Sequence, residues 1–444
     1  VLTVNNPPVN ALSQSVRSGL EDCLKLAADD AEAAAIVLFC AGRTFLAGAD
    51  ISEFGKPLQP PHLPDVIERF EDAPKLTVAA IHGTAFGGGL ETAMGCDYRC
   101  AVQSARVGQP EVKLGIIPGA GGTQRLPRLA GVPAALETIV TGKPVAAAKA
   151  REYGIIDEIV DGDLLEGAIE YAGRLLDEGA PQRKTRDMEV DTSSLPEGFF
   201  DDFRNTIARK TRGYHAPEAC IQAVEASIEL PFTEGMRRET ELFTECMEHP
   251  QATALQYVFF SERLASKIPD IPKGTPLRQI ARVGIVGAGT MGGGISMAFA
   301  NAGIPVNLVE AGQEQLERGL ETIRKNYSRS VKSGRFTEEQ VERLLRLIKG
   351  SLDFNELADV DLVIEAVFEN LELKKEIFRT LDSICKRGAI LATNTSTLDV
   401  DEIAAVTSRP EDVIGLHFFS PANIMRLLEI VRGAKTAEEV LATC

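Results

Sequence analysis

Nine consecutive residues, Ile268 to Pro276, hold three prolines and a glycine. Each proline fixes φ and removes a backbone donor, so neither a helix nor a sheet runs through such a stretch. At 444 residues the chain is also too long for one ordinary core. The segment therefore divides the chain into a domain over 1–265 and another over 279–444, with a linker at 266–278.

In the first part, the apolar runs Ala34–Phe39 and Thr77–Ile81 read as short buried strands between helical patterns. Residues 181–200 carry Pro181, Pro196 and Gly198 and read as a loop, and 216–267 reads as helical. Ala219, Ile221, Val224, Ala226 and Ile228 form one apolar face there, and Leu242, Phe243, Cys246 and Met247 another. After the linker, Arg282–Val286 opens a second unit, with further strands expected at 306–309, 360–365, 389–393, 413–417 and 427–431. Strands alternating with helices make both halves α/β.

Composition narrows the function classes. A 44% hydrophobic and 25% charged chain is globular in type, and no apolar run nears the ~18–20 residues of a membrane span. A net charge of −17 argues against a general nucleic-acid or anionic-membrane binder. It leaves room for a phosphorylated cofactor held by backbone N–H groups. Eight scattered cysteines and five histidines, with no Cys-x-x-Cys pair, point to reduced, buried thiols, with neither a metal site nor a disulfide framework. Val1 starts inside a strand-like run without a charged-then-apolar leader, and Cys444 ends inside an amphipathic stretch. Nothing here argues for secretion, and the chain is expected to be a fragment of a longer protein.

The strand ending at Ile81 runs into His82-Gly83-Thr84-Ala85-Phe86-Gly87-Gly88-Gly89, and a helical pattern begins near Leu90. Glycines let the main chain approach a ligand, and the first N–H groups of a helix are unpaired and electropositive. Such donors stabilise an oxygen that gains negative charge. Glu91 lies in the first turn, and Glu111 follows the strand-like Ala105–Gly108 with Pro110 fixing its approach. Two carboxyls on one pocket can divide acid and base roles. Taken singly, each is more simply a helix-terminal or surface acid.

Phe45–Ile51, Gly87-Gly88-Gly89-Leu90-Glu91 and the long run Gly108–Leu126 together resemble the enoyl-CoA hydratase/isomerase (crotonase) superfamily. The resemblance covers most of 1–265 and implies a crotonase fold, a spiral of ββα-type units. It implies that Ala49 and Gly88 supply the two N–H groups for a thioester oxygen, and that Glu91 and Glu111 hold and activate the water added across a 2,3-double bond. It also implies acyl-CoA as substrate and a Δ3-Δ2 isomerase side activity through Glu111. Arg43 and Lys56 are candidates for the CoA phosphates.

In the second half, Gly287-Ala288-Gly289-Thr290-Met291-Gly292 follows an apolar strand and opens a helical run. Gly287, Gly289 and Gly292 fit a dinucleotide loop, and Glu310 stands about twenty residues on, where an acid binds the ribose hydroxyl and disfavours a 2′-phosphate. NAD is therefore the expected cofactor. Strand–turn–strand through Ser420-Pro421 can set Glu429 beside His417, orienting the imidazole as a base. A lone histidine near Phe418-Phe419 is otherwise a packing residue. Asp361–Asn370, Thr393–Ser396, and Gly415–Pro421 through Leu428-Glu429 resemble the NAD-binding domain of L-3-hydroxyacyl-CoA dehydrogenases. The resemblance implies His417 as base, Glu429 as its partner, Ser396 and Asn394 near the substrate hydroxyl and cofactor, and Glu365 on the nicotinamide side. That family continues into a helical C-terminal domain, so this sequence alone is expected to bind NAD but oxidise poorly.

In this order the halves resemble the multifunctional enzymes of fatty-acid β-oxidation, of the peroxisomal bifunctional type or its bacterial relatives. Hydration of a 2-enoyl-CoA to an L-3-hydroxyacyl-CoA, then oxidation to the 3-ketoacyl-CoA, is the activity implied. The competing readings are an isomerase with a dehydrogenase, and a non-catalytic CoA- or NAD-binding regulator. The resemblance implies a bacterial cytoplasmic or eukaryotic peroxisomal setting, and a full-length protein that is monomeric or assembles through its C-terminal part.

Overall fold

A computed structural model describes residues 1–444 except Phe54, Gly55, Leu58 and Ser266, with only the backbone of Ser52. Contacts divide the chain into two compact units, Val1–Ser266 and Lys267–Cys444. The first residue of the expected linker, Ser266, lies outside the described residues.

The first unit carries β1 (Leu2–Val4), β2 (Ala35–Cys40), β3 (Leu76–Ile81), β4 (Thr84–Phe86), β5 (Tyr98–Val102), β6 (Arg106–Gly108), β7 (Val145–Ala146) and β8 (Glu158–Val160). Five of these form a parallel sheet in the order β1-β2-β3-β5-β8, and β4-β6-β7 form a small second sheet. A parallel sheet is covered on both faces, which is why β3 reads as a continuous apolar run. Its residues alternate between two cores. Leu76, Val78 and Ala80 pack with Tyr171 and Leu175, while Ala79 and Ile81 pack with Leu38, Leu90 and Leu126. Thr77, buried within the strand, is satisfied by Asp97, which accepts from its N–H at 2.8 Å and its hydroxyl at 2.9 Å.

The helical stretch resolves into Ala216–Glu229, Phe232–Glu248 and Pro250–Ala265. Pro231 and Pro250 punctuate it at positions where a missing N–H is tolerated. Two segments differ from the sequence reading. Thr84–Phe86 is a strand, too short at three residues to show a period. The expected loop at 181–200 ends in the helix Phe199–Thr211, which starts after Gly198 at φ 76°.

The second unit carries β9 (Val283–Val286), β10 (Val306–Val309), β11 (Ile348–Ser351), β12 (Leu362–Glu365), β13 (Ile390–Thr393), β14 (Val413–Phe418) and β15 (Leu428–Val431). Their order is β11-β10-β9-β12-β13-β14-β15, parallel except for the antiparallel β14–β15 pair. The order reverses at β9, and open sheets of this kind bind ligands at such a switch point, outside the carboxyl ends of the strands. Val283, Ile285 and Ile364 face one core, and Val286, Val363 and Leu391 the other. The chemistry-bearing loops of this unit all leave from that carboxyl edge.

Candidate active sites

In the first unit, β4 ends at Phe86, and Gly87, at φ 53°, turns the chain into the helix Gly88–Met94. That φ favours glycine, and a Cβ at Gly87 would also stand 2.2 Å from Glu111 Oε1. Gly88 is the first helical residue, so its N–H lies outside the helix's own hydrogen-bond ladder. A Cβ at Gly88 would fall 3.4 Å from the Ala49 nitrogen. Ala49 is held there by the Leu12 bridge and the Leu12 N–H to Gly48 carbonyl bond of 2.9 Å. The two expected donors are thus neighbours, and the residue before one of them, Gly87, stands against the carboxyl of Glu111.

Glu91, one turn into that helix, is 2% exposed. Its Oε1 accepts from the N–H groups of Ala120 (2.8 Å) and Gly122 (2.7 Å). Glu111 opens the tight turn Glu111–Leu114. With the amide of buried Gln109 turned so that nitrogen faces the carboxyl, Gln109 donates to both Glu111 oxygens at 3.2 and 3.3 Å. A Cβ at Gly122 would meet both that amide (2.6 Å) and Glu91 Oε1 (2.8 Å), so Gln109 and Gly122 stand between the two acids. Burial raises the pKa of Glu91, while the two N–H donors and Arg125 pull it back. Glu111 is held well above the ordinary carboxyl value, first by burial, then by the charges of Glu91 and Glu239. Both acids are thus raised, and their surroundings differ: donors and a cation face Glu91, whereas two further acids face Glu111.

In the second unit, the three glycines after β9 have separate tasks. Gly287, at φ 102°, makes the turn, and its Cβ would lie 2.8 Å from the Ala366 carbonyl. A Cβ at Gly292 would strike the Gly287 carbonyl at 1.8 Å, so glycine there lets the helix Thr290–Asn301 pack on the turn. At Gly289, the N-cap, a Cβ would meet nothing within 4 Å, leaving room for a ligand on the helix N-terminus. Glu310, just beyond β10, accepts from the Ala288 N–H at 2.8 Å and so borders this loop. The cradle fits a dinucleotide with a free ribose hydroxyl.

At the opposite side of the switch point, His417 and Glu429 are directly paired across β14 and β15. Glu429 Oε2 lies 2.7 Å from His417 Nδ1, leaving Nε2 for other partners. Asn394, at the end of β13, accepts from the Phe418 N–H at 2.8 Å and ties the two strand ends together. The Ser396 N–H donates to Glu369 at 2.9 Å.

Residues 1–193 match the family described as enoyl-CoA hydratase/isomerase, and residues 282–444 match 3-hydroxyacyl-CoA dehydrogenase, NAD binding domain. The chain joins a hydratase/isomerase domain to a dehydrogenase NAD-binding domain. The peroxisomal bifunctional enzyme of Danio rerio is 44% identical over all of this chain and 61% of its own length. The human enzyme of that name is 43% identical, with 62% of its length covered. The peroxisomal fatty acid beta-oxidation multifunctional protein AIM1 of Arabidopsis thaliana is 36% identical over 99% of this chain and 63% of its own. The chain therefore spans less than two thirds of the curated relatives it matches.

Two acids in these domains escaped the sequence reading. Glu239, on the helix Phe232–Glu248 of the hydratase/isomerase unit, is fully buried and accepts from Gly121 N–H (2.7 Å), Thr123 N–H (3.0 Å) and the Thr123 hydroxyl. Its signal was there. Gly235, Glu239, Leu242 and Cys246 share the buried stripe of the helix, and an acid on an apolar stripe is an anomaly. In the dehydrogenase unit the expected nicotinamide-side acid, Glu365, is turned inward. Its carboxylate takes Lys374 Nζ at 2.7 Å, the Thr393 hydroxyl at 2.8 Å and the Val367 N–H at 2.8 Å, and is fully buried. The acid that faces the Ser396 loop is Glu369, four residues later. Burial raises its pKa, but the Thr395 hydroxyl, the Ser396 N–H and Lys374 outweigh that and hold it below the ordinary value. Arg43 and Lys56 are exposed. Among the described residues no cluster of three or more potential metal ligands occurs, and no helix is long and apolar enough to cross a membrane.

Proposed function

We propose that the protein hydrates 2-enoyl-CoA thioesters and oxidises the resulting L-3-hydroxyacyl-CoA to the 3-ketoacyl-CoA. What supports this reading is that the buried acids Glu91 and Glu111 lie on either side of Gln109 and Gly122, while Gly87, next to Gly88, stands against the Glu111 carboxyl and Gly88 against the Ala49 nitrogen. The thioester oxygen accepts from those two N–H groups, which stabilise the enolate charge as it forms. Glu91 takes one proton from water as its oxygen bonds to C3, and Glu111 gives its proton to C2. The water's second hydrogen stays on the new hydroxyl, and proton exchange with solvent resets both acids. Isomerisation of a 3-enoyl-CoA uses the same N–H pair, with Glu111 carrying the proton between carbons.

For the oxidation, His417 Nε2 takes the hydroxyl proton, while Glu429 on Nδ1 fixes the tautomer and stabilises the imidazolium. Ser396 and Asn394 are read as contacts to the substrate hydroxyl and the cofactor. Gly287, Gly289, Gly292 and Glu310 are read as the NAD cradle, and NAD when bound supplies the hydride acceptor. The setting is read as peroxisomal in a eukaryotic host and cytoplasmic in a bacterial one.

The test is an enoyl-CoA plus NAD assay that follows loss of the conjugated thioester and appearance of NADH separately. Loss of conjugation without NAD is expected, with NADH formed only slowly when NAD is added, since this sequence alone is expected to oxidise poorly. No loss of conjugation under any condition sinks the hydratase reading.

A further inference from the structure

The backbone of residues 120–123 is gripped from two sides. The N–H groups of Ala120 and Gly122 point to Glu91, at 2.8 and 2.7 Å. Those of Gly121 and Thr123 point the other way, to Glu239, at 2.7 and 3.0 Å, and the Thr123 hydroxyl joins them. Four successive N–H groups therefore alternate between two buried carboxyls. Neighbouring packing leaves the loop little slack. A Cβ at Gly119 would press on the Phe243 ring at 2.7 Å, and one at Gly121 would strike Arg125 Nη1 at 1.8 Å. Phe243 and Glu239 lie on one helix, Phe232–Glu248, so that helix sets the loop's position from outside the catalytic layer. Neither side chain belongs to the motifs around Glu91 and Glu111.

We infer that Glu239 is a positioning residue for Glu91, holding the 120–123 loop so that Ala120 and Gly122 donate to the Glu91 carboxylate. The inference rests on the reading of Glu91 as the base that takes the proton from water. Without the outer grip, the two N–H groups drift from Glu91, which then loses both its aim at water and the donors that favour its ionised form. Glu111 and the Ala49–Gly88 donor pair are held by other elements and keep their geometry. The consequence is selective. Water addition suffers, whereas proton exchange at C2, which needs Glu111 and the N–H pair but no water addition, does not.

The experiment uses the whole 444-residue chain. Hydration of crotonyl-CoA and hydrogen–deuterium exchange at C2 of butyryl-CoA are measured in Glu239→Gln and in Thr123→Val, which removes one donor to Glu239 while keeping its shape. Glu239→Gln is expected to lower the hydration kcat about 10- to 100-fold with KM within about twofold, and Thr123→Val about three- to tenfold. Exchange is expected to stay within about threefold of the parent in both. A hydration-specific loss in either variant supports the inference, so a Glu239→Gln chain that fails to fold leaves Thr123→Val to decide. Parent-like hydration in every variant that folds, or hydration and exchange falling by the same factor, overturns it. Glu91→Gln runs in parallel. Hydration surviving there within about twofold removes the reading of Glu91 itself, and the inference with it.

Discussion

Glu91 and Glu111 have the same side chain, and only their surroundings separate them. Burial raises both; two N–H donors and Arg125 partly offset it at Glu91, whereas two neighbouring acids add to it at Glu111. Glu111→Gln, which keeps the shape but has no proton to give, is expected to lower hydration about 10²- to 10⁴-fold with little change in KM. A kcat within tenfold of the parent contradicts the assignment. The pH profile of hydration is expected to be bell-shaped, because the active form needs Glu91 ionised and Glu111 protonated. Its acid limb should lie above the ordinary carboxyl value, since Glu91 is raised, and both apparent values belong to the pair. Glu239 adds a stability signature. Burial, then the charge of Glu91, pushes its pKa up from 4.5 to about 8. For a raised folded pKa the stabilisation is full below the unfolded value and is lost as pH rises through the folded one. Between about pH 4.5 and 8 the protein should thus lose on the order of a few kcal/mol from this group. Glu239→Gln, which does not titrate, should show a smaller fall in melting temperature between pH 5 and 8. Equal falls in parent and variant would refute it.

Among the elements, the turn from β9 into the helix Thr290–Asn301 is the least forgiving. Gly292→Ala places a methyl group where the Gly287 carbonyl already stands, 1.8 Å away, so strand and helix must separate. A destabilisation of about 1–3 kcal/mol and weaker NAD binding are expected, measurable by denaturant unfolding and by NADH fluorescence titration. Unchanged NADH affinity would mean that the cradle does not depend on this close approach. The β14–β15 hairpin does different work, because its register alone brings His417 opposite Glu429. Much of this level was legible beforehand. Apolar runs identified the long strands, and 216–267 read as helical, though its division at Pro231 and Pro250 came only with the structure. The short β4 was not, because three residues carry no periodicity. The inward turn of Glu365 was equally hidden. Its partner Lys374 lies nine residues on, and only the packing of the helix Leu371–Ile384 on the sheet buries the pair.

For the whole molecule, two compact units with separate ligand chemistries should answer to their ligands separately. NAD at 100 times its Kd is expected to stabilise the second unit by about 2.7 kcal/mol, and an acyl-CoA the first by a like amount. Differential scanning calorimetry with each ligand in turn checks this, and a shift of both units by either ligand alone would count against it. The sequence by itself determined the α/β character of both units and the glycine turns, and it singled out the proline-dense segment as a boundary and Glu91, Glu111, His417 and Glu429 as candidates. These follow from local rules, since φ restrictions, strand periodicity and helix starts act over a few residues. Tertiary structure alone decided what surrounds each of the two acids, that Glu239 shares a loop with Glu91, that Glu365 is paired with Lys374, and that Glu369 faces the Ser396 loop. Most of those outcomes depend on burial and on charges tens to more than a hundred residues apart in the chain, distances over which spacing carries no information.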